Sequence, residues 1–148
     1  MKYTHKKQGF TLIEVLVVIG IIAVLATVVL VAVNPGRQFA QARNTQRISN
    51  VNAVLNAVGQ NIADNKGTFT CAEGALPATA TIISSSAYDI RDCIIPNYMT
   101  DIPVDPSNGS ITSTEYTTGY TILQDATTKR ITLTAPSAEL GEIISVTR

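Results

Sequence analysis

With 148 residues, 45% of them hydrophobic and 15% charged, the chain has room for one globular unit beside one apolar segment. Its 11 basic and 11 acidic side chains cancel, but Lys2, Lys6 and Lys7 all precede Gly9, leaving 8 basic against 11 acidic from residue 10 onward, a net of −3. That balance excludes a strongly basic nucleic-acid binder and leaves only a local basic patch open.

In chain order, the first distinctive stretch is Lys6-Lys7-Gln8-Gly9-Phe10-Thr11-Leu12-Ile13-Glu14, followed by uncharged residues to Val33. Between Phe10 and Val33 the only ionisable side chain is Glu14. A helix needs roughly 20 apolar residues to cross a bilayer, so this run is long enough, and a carboxylate inside it requires a reason. Lysines before the span and few after it predict a cytoplasmic N-terminus, with the rest of the chain outside. A secretory signal has a short apolar core and a small-residue cleavage site after it. Here the core is longer, contains Glu14, and the small residue, Gly9, comes first.

Lys7-Gln8-Gly9-Phe10-Thr11-Leu12-Ile13-Glu14 resembles the class III signal of type IV pilins and of the pseudopilins of type II secretion, with the match running over residues 6–33. The resemblance implies that a membrane aspartyl peptidase, the prepilin peptidase, cuts between Gly9 and Phe10 and N-methylates Phe10. Residues 1–9 are then a leader that is removed, and 10–34 a transmembrane and assembly helix.

Asn34-Pro35-Gly36 interrupts the helical pattern, and proline predicts a kink or local melting at Pro35. Either the membrane helix ends at Asn34 or a kinked helix continues. Continuation is favoured, because Ile48, Val51, Leu55, Val58 and Ile62 step by three and four along one helical face, with Arg43, Arg47 and Asn50 largely on the others. This gives an amphipathic continuation over 35–66, stopped at Asn65-Lys66-Gly67, where glycine takes a left-handed cap. A helix from Phe10 to Asp64 would be roughly 80 Å long.

Residues 67–148 predict a small globular β-sheet domain. Thr68 to Asp92 reads as loop with at most short elements, and Ile94 to Met99 as the start of a helical turn. Tyr116–Leu123 and Arg130–Thr134 have strand composition around a turn at 124–129, an antiparallel hairpin, with a further strand in Glu142–Thr147. The fold class is therefore α+β: a long N-terminal helix, membrane-spanning then amphipathic, packed through its Ile48–Ile62 face on a small antiparallel sheet. The pilin resemblance implies the same architecture.

Cys71 and Cys93 both follow the span. On an extracytoplasmic side a disulfide is the default, closing a loop of about 20 residues and adding roughly 3 kcal/mol in the chain-entropy model, with two separate buried thiols as the alternative. No metal site is expected, since the lone histidine, His5, lies in the leader and two thiols do not complete a zinc site. Asp101, Asp105 and Asn108 offer oxygens for calcium, but their spacing matches no defined loop, and Asp105-Pro106-Ser107-Asn108-Gly109 reads first as a turn. Asn108-Gly109-Ser110 also matches a glycosylation acceptor. Gly20, Ala23 and Ala26 are either a close helix-packing stripe or ordinary membrane composition.

Glu14 has two readings. It folds back onto the Phe10 amine that cleavage creates, or it neutralises that amine on a neighbouring subunit; the resemblance implies the second, an assembly role. No Ser or Cys outside the membrane has a candidate His base, so neither enzyme chemistry nor a cofactor is expected. The leading function is a type IV pilin, polymerised through its N-terminal helix into a surface fibre after residing as a single-pass precursor in the cytoplasmic membrane. Its partners are further copies of itself, the prepilin peptidase and an inner-membrane assembly machine with its own ATPase; a nucleic-acid partner is left open but unsupported. The alternatives are a pseudopilin of type II secretion and, in another class, a membrane-anchored binding domain.

Overall fold

The computed structural model describes residues 9–148. The leader lysines and His5 lie outside the described residues. The architecture is α+β and pilin-like: a long apolar N-terminal helix, a second helix and an antiparallel sheet of five strands. The chain divides into two compact units, one ending at Gln38 and one spanning Phe39–Arg148.

In the first unit, α1 runs over Leu12–Val33, 22 residues without a β-breaking or helix-breaking proline, and none of its residues is buried. It ends at Asn34, whose backbone is left-handed (φ 47, ψ 77). The next helix, α2 (Pro35–Asp64), begins immediately. Asn34 serves both ends: its carbonyl accepts from the Arg37 and Gln38 amides, and its Oδ1 accepts from Arg37 N at 3.3 Å. Proline fits the first helical position, where its missing N–H would have had no partner. The backbone between the two helices is thus one non-helical residue.

In the second unit, the buried stripe of α2 is Ala40, Asn44, Arg47, Val51, Val54, Leu55, Ala57, Val58 and Asn61. Val51, Leu55 and Val58 are buried on the predicted face and Ile62 packs half-buried against the core, but the start of the face does not follow. Ile48 is 45% exposed, whereas Arg47, predicted to lie largely off that face, is fully buried. The reason is that Asn44, Arg47 and Asn61 each meet a polar partner inside the fold (below), so polarity did not keep them out. Past Asp64 the chain turns through Lys66 (φ 58) and Gly67 (φ 90), and the Gly67 amide donates back to the Ile62 carbonyl at 2.8 Å.

The sheet is built on β3 (Tyr116–Gln124). β1 (Thr81–Ser84) pairs along one edge of it; β4 (Ile131–Ala135) and the two-residue β2 (Ser110–Ile111) share the other. The predicted hairpin is β3–β4, with Thr121 opposite Thr134 and Gln124 opposite Ile131. β5 (Ile144–Thr147) pairs with β4 and ends the sheet. β3 and β4 alternate between buried and half-buried residues, the pattern of a sheet with one face on a core. That core joins Val54, Val58, Ile83, Tyr120, Ile122 and Leu133. The single helical turn α3 is Arg91–Ile94, earlier than the predicted Ile94–Met99, because Ile95 precedes Pro96 and is extended (φ −103, ψ 139).

Candidate functional site

The stretch that carries the sequence motif opens α1. Gly9 and Phe10 are exposed ahead of the helix. A Cβ added at Gly9 would have no atom within 4 Å, so nothing within the described chain requires glycine there. Thr11 is the N-cap, with extended backbone, and it forms a reciprocal capping box with Glu14. The Glu14 amide donates to Thr11 Oγ1 at 3.3 Å. Thr11 in turn donates its backbone N–H and its hydroxyl to Glu14 Oε2, both at 2.8 Å. Within the chain the Glu14 carboxylate is held by Thr11 through Oε2, and Glu14 Oε1 has no partner among the described residues. The signal for this was local, since Thr-x-x-Glu ahead of an apolar run is the capping-box pattern.

Beyond the cap, α1 is long and apolar enough to cross a membrane, and all its side chains are exposed within the chain. Gly20 faces open space. Ala23 accepts a hydrogen bond from Thr27 Oγ1 at 2.9 Å, which keeps the one hydroxyl of the helix satisfied without an external partner.

A second constellation lies in the globular unit, and sequence reasoning missed it. The Arg47 guanidinium and Asp105 carboxylate are both inaccessible to solvent, joined at 2.7 Å (Nε to Oδ2) and 3.3 Å (Nη2 to Oδ1). Arg47 also donates to Ser107 Oγ, Asn44 Oδ1 and Glu139 Oε2, so its planar fork is fully used. Glu139 is held in addition by Arg43, and Asn44 clasps the Glu139 backbone through both its amide atoms. Asn50 donates to the Val104 carbonyl and to the Tyr120 hydroxyl. One flank of α2 thereby fastens the loops before β2 and between β4 and β5.

Asp105 sits where the edge of β3 lies open between β2 and β4. Its amide donates to the Thr118 carbonyl at 2.7 Å, and its Oδ1 accepts from the Ser107 and Asn108 amides. Glycine makes this approach possible: a Cβ on Gly119 (φ +76) would lie 2.8 Å from the Asp105 Cβ, and one on Gly109 2.5 Å from its amide nitrogen. The predicted turn at Asp105–Gly109 is present, with Gly109 N donating to Asp105 O at 2.9 Å. Burial alone would push the Asp105 carboxyl up, but the Arg47 hydrogen bonds and the two backbone donors hold it below the usual carboxylate value. The Asp105 hydrogen bond raises Arg47 in the opposite sense, so both charges are retained. These oxygens are occupied by protein donors, and among the described residues no set of three or more His, Cys, Asp or Glu side chains is placed to hold a metal.

Cys71 and Cys93 form a disulfide. Asn61 on α2 secures both of its ends, donating to the Thr70 and Cys93 carbonyls and accepting from the Thr70 amide.

Residues 4–30 match the family model described as the prokaryotic N-terminal methylation motif. This is the class III prepilin signal of type IV pilins and pseudopilins, here borne on an apolar helix. It covers the stretch holding Gly9, Phe10, Glu14 and most of α1. No curated protein and no solved structure matches the chain.

Proposed function

We propose that the chain is a structural subunit of a type IV pilus. The observation that carries this reading is that a prepilin signal opens a helix of 22 residues, none of them buried in its own chain. An exposed apolar helix needs lipid before assembly and other helices after it. Burial contributes about 25 cal/mol per Å² of apolar surface removed from water, which disfavours a free, solvated subunit.

In this reading the prepilin peptidase cuts between Gly9 and Phe10. Glycine is needed by the enzyme that approaches the backbone, consistent with the absence of any steric demand from the described residues. Cleavage creates the Phe10 amine, which N-methylation leaves cationic. Glu14 of one subunit meets the Phe10 amine of a neighbour through its free Oε1 while Oε2 stays on Thr11. Lipid penalises either charge alone, which biases an incoming subunit towards the pairing register. The non-helical residue ahead of Pro35 supplies the point where the membrane segment adjusts to the fibre. The globular unit faces outside, where its disulfide is stable. An inner-membrane machine with its own ATPase drives assembly.

Pseudopilins of type II secretion share the motif. The pilin reading is favoured by the disulfide and by Asp105, whose oxygens serve Arg47 and a turn rather than an open cation loop. Two measurements test the proposal. Mass spectrometry of the cellular protein should find N-methylated Phe10 as the first residue; retained Met1 in cells with active peptidase refutes processing. Electron microscopy of sheared surface material should show filaments with this chain as main component.

A further inference from the structure

β5 ends the sheet, and its outer edge has no backbone partner among the described residues. Ile131 and Arg148 exchange both backbone hydrogen bonds (2.7 and 3.0 Å), which sets the alternation along the β4–β5 ladder. Ile144 and Val146 therefore bond inward to β4, and the backbone groups of Ser145 and Thr147 point out from the open edge. Beside that edge runs a groove lined by Ile48 of α2 together with Glu142, Ile143, Ile144, Ser145 and Val146. Ile143 is 91% exposed and Ile48 45%, an apolar pair left on a unit whose other large aliphatics are mostly inside.

We propose that two copies of this chain pair edge to edge through β5, antiparallel and centred on Ser145. The register follows from the backbone. Ser145 opposite its own copy is a pair that exchanges both outward hydrogen bonds, and the same register sets Ile143 opposite Thr147. On the α2 face it brings Val146 of one copy beside Ile144 of the other, with Ile48 from both helices against the seam. One position further out, Glu142 of each copy stands opposite Arg148 of the other. Within one chain these two exposed side chains meet only neutral amides: Asn44 for Glu142, and Asn52 and Asn56 for Arg148. Neither forms an ion pair among the described residues, and the second copy supplies one for each. The contact is isologous and closes on itself, so it adds a pairing of subunits without itself generating a fibre, and it does not rest on the fibre reading.

The test is disulfide trapping in the full-length chain solubilised in detergent, which frees the two copies, whose α2 helices run antiparallel in this pairing, from a shared membrane orientation. Cys71 and Cys93 are already bonded, so Ser145→Cys introduces the only free thiol. An antiparallel hydrogen-bonded pair has Cα atoms about 5.5 Å apart, within disulfide reach. Ser145→Cys should give a covalent homodimer much faster than Thr128→Cys, an exposed control in the β3–β4 turn. Ile143→Glu should suppress it. Adding Glu142→Arg or Arg148→Glu alone should slow trapping about threefold to tenfold, and the two together should restore it. Trapping no faster than the control, capture of a different protein instead of a second copy, or failure of the double reversal to restore the rate would overturn the proposal.

Discussion

The Arg47 guanidinium and the Asp105 carboxylate, 58 residues apart, meet at 2.7 Å with both side chains shut off from solvent. Arg47 is on the helix that follows the apolar segment, and Asp105 is in a loop that crosses the open part of the β3 edge. The pair is satisfied on every side, by Ser107, Asn44 and Glu139 around the arginine and by two backbone amides at the aspartate. It acts as the rivet between helix and sheet.

Removing one member should therefore be far more harmful than removing a surface pair. Arg47→Met leaves a buried carboxylate without its counter-ion and is expected to cost about 3–5 kcal/mol. Arg43→Met, which breaks the part-exposed Arg43–Glu139 pair, should shift stability only slightly, because water screens that pair. Urea denaturation of the full-length chain in detergent measures both. Equal losses would show that the Arg47–Asp105 contact is no stronger than a surface ion pair.

Acid should expose the same linkage. The folded chain holds Asp105 below its ordinary value of 3.8, so the unfolded chain takes up a proton first as pH falls. The stabilisation is fully present above that value and is lost as pH drops through the lower, folded one. Glu139, held low chiefly by the Arg43 hydrogen bond, adds to the trend. Thermal melts from pH 7 downward should fall away below about pH 4, and the fall should flatten in Asp105→Asn. An unchanged acid limb in that variant would assign the acid sensitivity to other carboxylates.

Gly119 offers a steric test. Gly119→Ala puts a Cβ both into a left-handed backbone position and 2.8 Å from the Asp105 Cβ, whereas Gly67→Ala (φ +90) meets open space. Both variants carry the backbone strain, roughly 1–2 kcal/mol, but only Gly119→Ala adds overpacking of about 1–3 kcal/mol. Denaturation midpoints should rank them in that order. Similar midpoints would mean that the loop carrying Asp105 yields at little cost.

For Glu14, the expectation separates insertion from assembly. Glu14→Leu keeps an apolar α1 and should leave the membrane level of the protein unchanged while sheared fibre falls by about an order of magnitude or more. Thr11→Val, which removes the hydroxyl donor but leaves the carboxylate, should have the smaller effect. Normal fibre yield from Glu14→Leu cells would rule out the assembly role.

How far the sequence could be read depended on how local each signal was. The β3–β4 hairpin is legible because two alternating runs flank a turn, and all its partners lie within 20 residues. The stop after Asp64 is legible because Gly67 is needed for its left-handed backbone. The α2 face is legible except at its start. Periodicity places Val51, Leu55 and Val58 inward, but it weights residues by polarity, and so it puts Ile48 on the core face and Arg47 off it. The missing information was that an aspartate 58 residues onward would stand over Arg47. The Thr11–Glu14 box, by contrast, was written in four adjacent residues and needed only the capping pattern to be applied.

The sequence by itself determined the N-terminal segment: a small residue followed by a bulky aromatic, one acid and an unbroken apolar run are properties of neighbours along the chain. It also determined the α+β class, because periods of two and of 3.6 are local. Tertiary structure alone decided which polar groups go inside. Burying a charge is unfavourable unless a counter-charge and donors arrive from elsewhere, and only the folded chain brings Asp105 and Glu139 to Arg47. It alone, too, left β5 at an open edge among the described residues, since an edge is defined by which strand has no neighbour.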